Sequence, residues 1–153
     1  MSVERDDLKM QTAEHGLKVR VTGVIFDDQH RVLTVTDGEA FSLIGGKQKF
    51  GELSQEAIVR EFMEETGMTV RPARLLAVIE NLFEVEGKSW QEIGFMYLIG
   101  AVGERRLDEL AVMADDQDFR WLPESQWGEL LPHGIDKIIS ELPENPVHLV
   151  VKN

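Results

Sequence analysis

The 153-residue sequence contains no cysteine. That absence excludes disulfides, thiolate zinc sites and cysteine nucleophiles, and it suits a reducing compartment. No apolar run is long enough to span a bilayer. The opening MSVERDDLKM is polar and acidic, unlike a secretory leader, so a cytoplasmic protein is expected. No Pro/Gly/Ser-rich tract, repeat or low-complexity segment divides the chain, and a single domain over 1–153 is expected. Bases are scarce: 16 Lys and Arg face 28 Asp and Glu, a formal net charge of −12. No run of Lys or Arg forms a basic patch in the sequence. A surface of this sign repels nucleic-acid phosphates and anionic lipid, so neither is an expected partner. A P-loop and a GxSxG elbow are both missing. His15, His30, His133 and His148 are scattered without metal-ligand spacing.

What is present reads as strands first, one helix, more strands, then helices, which predicts an α+β domain. Leu17, Val19, Val21 and Ile25 alternate with Lys18, Arg20 and Thr22, a strand over 17–26. DDQH turns the chain toward a second strand, Val32 to Thr36, and a hairpin is expected. DGEA leads to FSLI, which runs into Gly45-Gly46. A helix is expected from Ser54 to Thr66, with Ser54 as its cap and Gly67 as its left-handed end. Strands follow near 69–85 and 91–102, with Ile93, Phe95, Tyr97 and Ile99 on one face. A short strand at 118–122 and helices near 124–130 and 135–142 complete the pattern.

The helix poses the functional question. At about 100° per residue, Ile58, Val59, Phe62 and Met63 fall on one arc, and Glu61, Glu64 and Glu65 on the opposite one. Like charges at three- and four-residue spacings oppose helix formation. A solvated face usually mixes signs, whereas gathered carboxylates suit a hard cation such as Mg²⁺. Acidic helical faces are common, so the helix by itself leaves both readings open.

The preceding loop extends the pattern. In GGKQKFGELSQEAIVREFMEETGM, Gly45 to Met68, Gly46 is followed after five residues by Glu52. Seven residues later come Arg60 and Glu61, then Phe62, then Glu64-Glu65, Gly67 and Met68. This resembles the Nudix box, Gly-x5-Glu-x7-Arg-Glu-U-x-Glu-Glu-x-Gly-U with U a bulky apolar residue, and every defined position is filled from Gly46 to Met68. The resemblance implies a Nudix-type α/β/α sandwich with a mixed β-sheet and a catalytic loop-helix. It implies that Glu61, Glu64 and Glu65 bind Mg²⁺ or Mn²⁺, helped by a backbone carbonyl near Gly45, and that Glu52 supports them with Arg60. A guanidinium fork suits the task of bridging carboxylates. The two glycines are expected to let the backbone approach a ligand and take a positive φ.

The implied activity, that of a MutT-like hydrolase, is metal-dependent cleavage of a pyrophosphate bond in a nucleoside diphosphate linked to another group. Water attacks phosphorus, and Glu61 is the candidate base. Asp115, Asp116 and Asp118, or Glu92, are candidates for an additional acid. Lys47 and Lys49 are candidate phosphate contacts. A base-stacking residue could come from Phe41, Phe50, Trp90, Trp121 or Trp127. Ile44 replaces the proline often found before the glycine pair. ENLFEV and the lone Tyr97 do not match the downstream marks of several subfamilies, so nucleoside triphosphates and nucleotide sugars lead as substrates. The rival reading is a Nudix-fold sensor that binds a nucleotide without turnover. Isopentenyl diphosphate isomerase chemistry on the same fold is disfavoured by the missing cysteine. A homodimer is compatible with the family.

Overall fold

The computed structural model describes residues 6–102 and 118–153. In chain order the elements are β1 (Lys9–Gln11), β2 (His15–Val24), β3 (Val32–Thr36), β4 (Phe41–Lys47), α1 (Ser54–Thr66), β5 (Val70–Val85), β6 (Lys88–Val102), β7 (Asp118–Leu122), a 3-10 segment (Glu124–Glu129), β8 (Leu130–Leu131), α2 (Ile135–Glu141) and β9 (Val147–Lys152). The mixed sheet runs β7-β3-β4-β2-β6-β5-β9, with β1 beside β2 and β8 beside β4. The pairing of β2 with β6 is parallel, as is that of β5 with β9. The β2–β4, β3–β4, β3–β7 and β5–β6 pairs are antiparallel.

Each face of the sheet has its own apolar layer. Val21, Ile25, Leu33 and Ile44 pack with Ala57, Ile58 and Phe62 of α1. Val24, Leu43, Ile79 and Met96 pack with Trp127, Ile135, Ile138 and Ile139 from the opposite side. Strand alternation produces both layers, since successive residues point to opposite faces. The outcome is the expected α+β sandwich, with α1 on one side and the 3-10 segment and α2 on the other. Among the described residues no helix is long and apolar enough to cross a membrane.

Three local expectations are corrected. The turn between β2 and β3 forms, held by the Asp27 carboxylate, which accepts from the Gln29 and Arg31 amides at 3.0 and 2.8 Å. The two strands do not build a hairpin ladder, however: β4 lies between them, and a single bridge joins Phe26 to Val32. Ser54 does not cap α1. The cap position is Leu53, whose N–H donates to Glu56 Oε1 at 2.8 Å, while Ser54 Oγ lies 2.6 Å from the Tyr97 hydroxyl. Gly67 does end the helix, with φ 74° and its N–H on the Met63 carbonyl. The third correction concerns the faces of α1. Met63 is 47% exposed, whereas Glu61 is 9% exposed, within the buried arc.

Candidate active site

Strand β4 and helix α1 build the site from their facing backbones. Gly45 and Gly46 are strand residues paired with Thr22 and Val21. Neither has the positive φ expected of it. Their need for glycine is spatial. A Cβ on Gly45 would collide with the Val21 carbonyl oxygen, and one on Gly46 would lie 2.5 Å from the Glu61 carboxyl carbon. The missing side chains are therefore what let Glu61 sit against the strand.

Arg60 ties the box together. Its Nε donates to Glu52 Oε2 at 2.7 Å and its Nη2 to Glu52 Oε1 at 3.0 Å, a two-pronged pair. Nη1 donates to Glu61 Oε1 at 2.9 Å and Glu64 Oε2 at 3.1 Å, and Nη2 also reaches the Lys47 carbonyl at 3.0 Å. Glu52 accepts the Lys49 amide as well, at 3.0 Å. Hydrogen bonds from Arg60 hold the Glu52 carboxyl below its ordinary range despite partial burial. The same partners, Glu52 first, raise the already high pKa of Arg60. Planar, two-pronged pairs of this kind fix rotamers as well as charge.

The helix glutamates are under electrostatic stress. Burial raises the Glu61 pKa and outweighs the help of Arg60. Glu65 is pushed up to about 7, first by burial and then by the neighbouring Glu61 charge, although it accepts a hydrogen bond from the Gly45 backbone. Among the described residues, Glu65 Oε2 is buried with no hydrogen-bond partner. A buried carboxylate oxygen without a donor is costly. The described side chains hold no ready-made group of three acidic or His ligands. Arg60 occupies one oxygen each of Glu61 and Glu64, and Glu65 retains its open oxygen. Oxygen donors, like-signed repulsion and an orphaned oxygen fit a hard divalent cation.

On the sheet face that carries the α2 layer lies a cavity of about 490 Å³, lined by Lys18, Arg20, Asn81, Phe83, Glu92 and His133 among others. Arg20 links the two regions, since its charge also acts on Glu61 and Glu65. Lys47 pairs with Arg20 across β2 and β4 and contributes to the field at Lys18. Lys18 and Arg20 were not among the residues expected at the site. The signal was the polar side of the β2 alternation, which carries cations in a strongly acidic chain. Contrary to the linear reading, the fold does assemble a basic strip.

The remaining candidates separate. Glu92 lines the cavity and pairs with Lys18 at 3.4 Å. Asp118 is exposed and bound to Arg120. Asp115 and Asp116 lie outside the described residues. Lys49 meets the box through its amide. Of the aromatics, Trp127 is buried, its Nε1 donating to the Leu122 carbonyl at 2.9 Å, and Trp121 packs against the α1 layer. Phe50 is exposed, and Phe41 is packed against the α2 layer.

The sequence model of the NUDIX domain matches residues 16–142. The chain belongs to the Nudix hydrolase family. That membership makes it an enzyme of the pyrophosphohydrolase class. Solved structures share the fold. A MutT protein from Bacillus halodurans matches at TM-score 0.64 and 20% identity, over 88% of each chain. A MutT Nudix hydrolase from Burkholderia pseudomallei matches at TM-score 0.61 and 22% identity, over 83% of this chain and 98% of the other. A protein described as a UDP-X diphosphatase matches at TM-score 0.54 and 18% identity, over 90% of this chain and 68% of that one.

Proposed function

We propose that the chain hydrolyses a pyrophosphate bond in a nucleoside diphosphate joined to another group, a nucleoside triphosphate or a nucleotide sugar. Glu61, Glu64 and Glu65 would hold Mg²⁺ or Mn²⁺ with the Gly45 carbonyl. The observation that carries this reading is the orphaned Glu65 Oε2, buried beside Glu61 at the glycine pair. A divalent cation bound there would supply charge neutralisation for the pyrophosphate oxygens and acidify a water.

The chain's own residues carry the rest. Arg60, clamped by Glu52, positions the Glu61 and Glu64 carboxylates. Glu61 is the candidate to accept the proton of the attacking water. The new P–O bond forms as the bridging P–O bond breaks, so no covalent enzyme intermediate is required. Arg20 and Lys47, with Lys49, offer positive charge to the substrate phosphates. The cavity bounded by Phe83, Asn81 and Glu92 receives the nucleoside, with an aromatic face and amide and carboxylate edges for recognition. Relatives described as UDP-X diphosphatase and ADP-ribose pyrophosphatase support substrates of this class.

The test is a panel of nucleoside triphosphates, dinucleotides and nucleotide sugars with Mg²⁺ or Mn²⁺, read by release of phosphate, pyrophosphate or nucleotide. Turnover of one class by the natural chain, abolished in Glu64→Gln, is expected. Tight nucleotide binding with no turnover across the panel would replace this reading with the sensor.

A further inference from the structure

Around the cavity-lining Lys18, the sheet carries a group of side chains that the box does not use. Trp90 pairs in register with Gly16, and its indole lies across that glycine, where a Cβ would collide with the ring. Gly16 is thus a floor for the indole. Three ammonium groups surround the same ring: Lys9 at 5.3 Å, Lys18 at 5.2 Å and Lys88 at 5.1 Å from its centroid. Lys18 also stands 5.3 Å over Phe83, which lines the cavity. These residues converge from four strands, because Lys9 pairs with Lys18 across β1 and β2 while Lys88 shares the β6 face with Trp90.

One ring attracts a cation through its quadrupole, but three ammonium groups around it repel one another. Glu92 answers only Lys18, at 3.4 Å. Lys88 bonds to the neutral Gln11 side-chain oxygen. Among the described residues, no salt bridge to Lys9 or Lys88 is found. In a chain of net charge −12, such a concentration of cations beside a nucleotide-sized cavity is what an anionic group would complement.

We propose that Lys9, Lys18 and Lys88, arranged on Trp90, form a second anion subsite that takes a phosphomonoester carried by the substrate away from the pyrophosphate being cut. Along β2, Lys18 lies two residues and Gly16 four residues from Arg20, about 7 and 13 Å at the usual strand rise. That interval places the anion beyond the nucleoside linkage rather than on the pyrophosphate itself. The substrate class is therefore a nucleotide phosphorylated on its sugar as well as through its pyrophosphate. The inference rests on the proposed hydrolysis only for which bond is broken; the subsite itself is a binding property.

The test uses the whole chain without divalent metal, so that nothing is turned over. Adenosine and guanosine 3′,5′-bisphosphates are titrated against the matching 5′-monophosphates by calorimetry and tryptophan fluorescence. The bisphosphates are expected to bind at least about tenfold more tightly, the worth of one charge-assisted hydrogen bond. That preference should vanish in the surface double variant Lys9→Gln/Lys88→Gln, whose folding is verified by circular dichroism. The fluorescence response should be lost in Trp90→Phe while Trp121 and Trp127 still emit. Equal affinity for the two ligand types, no binding of either, or a preference that survives the double variant would overturn the subsite. None of these outcomes bears on whether triphosphates or nucleotide sugars are hydrolysed with metal, so the two proposals fail separately.

Discussion

At the scale of single residues, the site depends on side chains being absent as much as present. Gly46 makes room for the Glu61 carboxylate, so a methyl group there acts on the ligand rather than on the core. Gly46→Ala should leave the far-ultraviolet circular dichroism unchanged while lowering turnover by at least about tenfold, a scale typical of displaced ligand supports. Equal activity in the variant would show that the Glu61 position is unimportant. Glu65 gives a titration with a defined sign. Its folded carboxyl lies at about 7, above the ordinary 4.5. In metal-free protein the folded state therefore holds the proton more tightly than the unfolded state. Stability from this group is complete below about 4.5 and is lost as pH rises through about 7. Urea unfolding in EDTA should show this decline, and Glu65→Gln should flatten it. A decline of the same size in the variant would remove Glu65 as its cause.

At the scale of elements, α1 serves two purposes at once. Ala57, Ile58 and Phe62 anchor it to the sheet, and the adjoining Glu61 and Glu65 are carried partly inward with them. Phe62 is fully buried and leans on Gly23. Phe62→Ala should cost about 3–5 kcal/mol of unfolding free energy, measured by urea denaturation. A loss near zero would mean that the helix is not fixed by this contact. The helix span and its Gly67 terminus were legible in the sequence because periodicity and a terminal glycine are local signals, whereas the cap expected at Ser54 falls on Leu53 because the Ser54 hydroxyl meets Tyr97. The buried position of Glu61 was not legible, since a helical wheel does not say which glycine the helix will face. The β2–β3 hairpin was misjudged for a related reason. Its turn chemistry is local and correct, but insertion of β4 between the strands is a long-range event. Strand β9, which pairs in parallel with β5, lies after Pro143 and Pro146 and gives too short an alternation to stand out.

At the scale of the molecule, the charge distribution carries the main lesson. The linear sequence shows only an acidic chain, and its cations become a strip because β1, β2, β4 and β6 bring Lys9, Lys18, Arg20, Lys47 and Lys88 together. The rest of the surface keeps a large negative excess, which opposes compactness by self-repulsion. Raising NaCl from about 0.05 M to about 0.5 M shortens the screening distance severalfold, so the melting temperature of metal-free protein should rise. A falling temperature would indicate that attractive pairs, such as Arg60 with Glu52, dominate instead.

The most direct test of the proposed metal site is a Mn²⁺ titration of the purified chain, followed by electron paramagnetic resonance across pH 6 to 8. A site is expected whose affinity rises with pH as Glu65 gives up its proton near 7, and which weakens by at least about tenfold in Glu65→Gln. Indistinguishable binding by the two proteins, or no saturable binding by either, would contradict it.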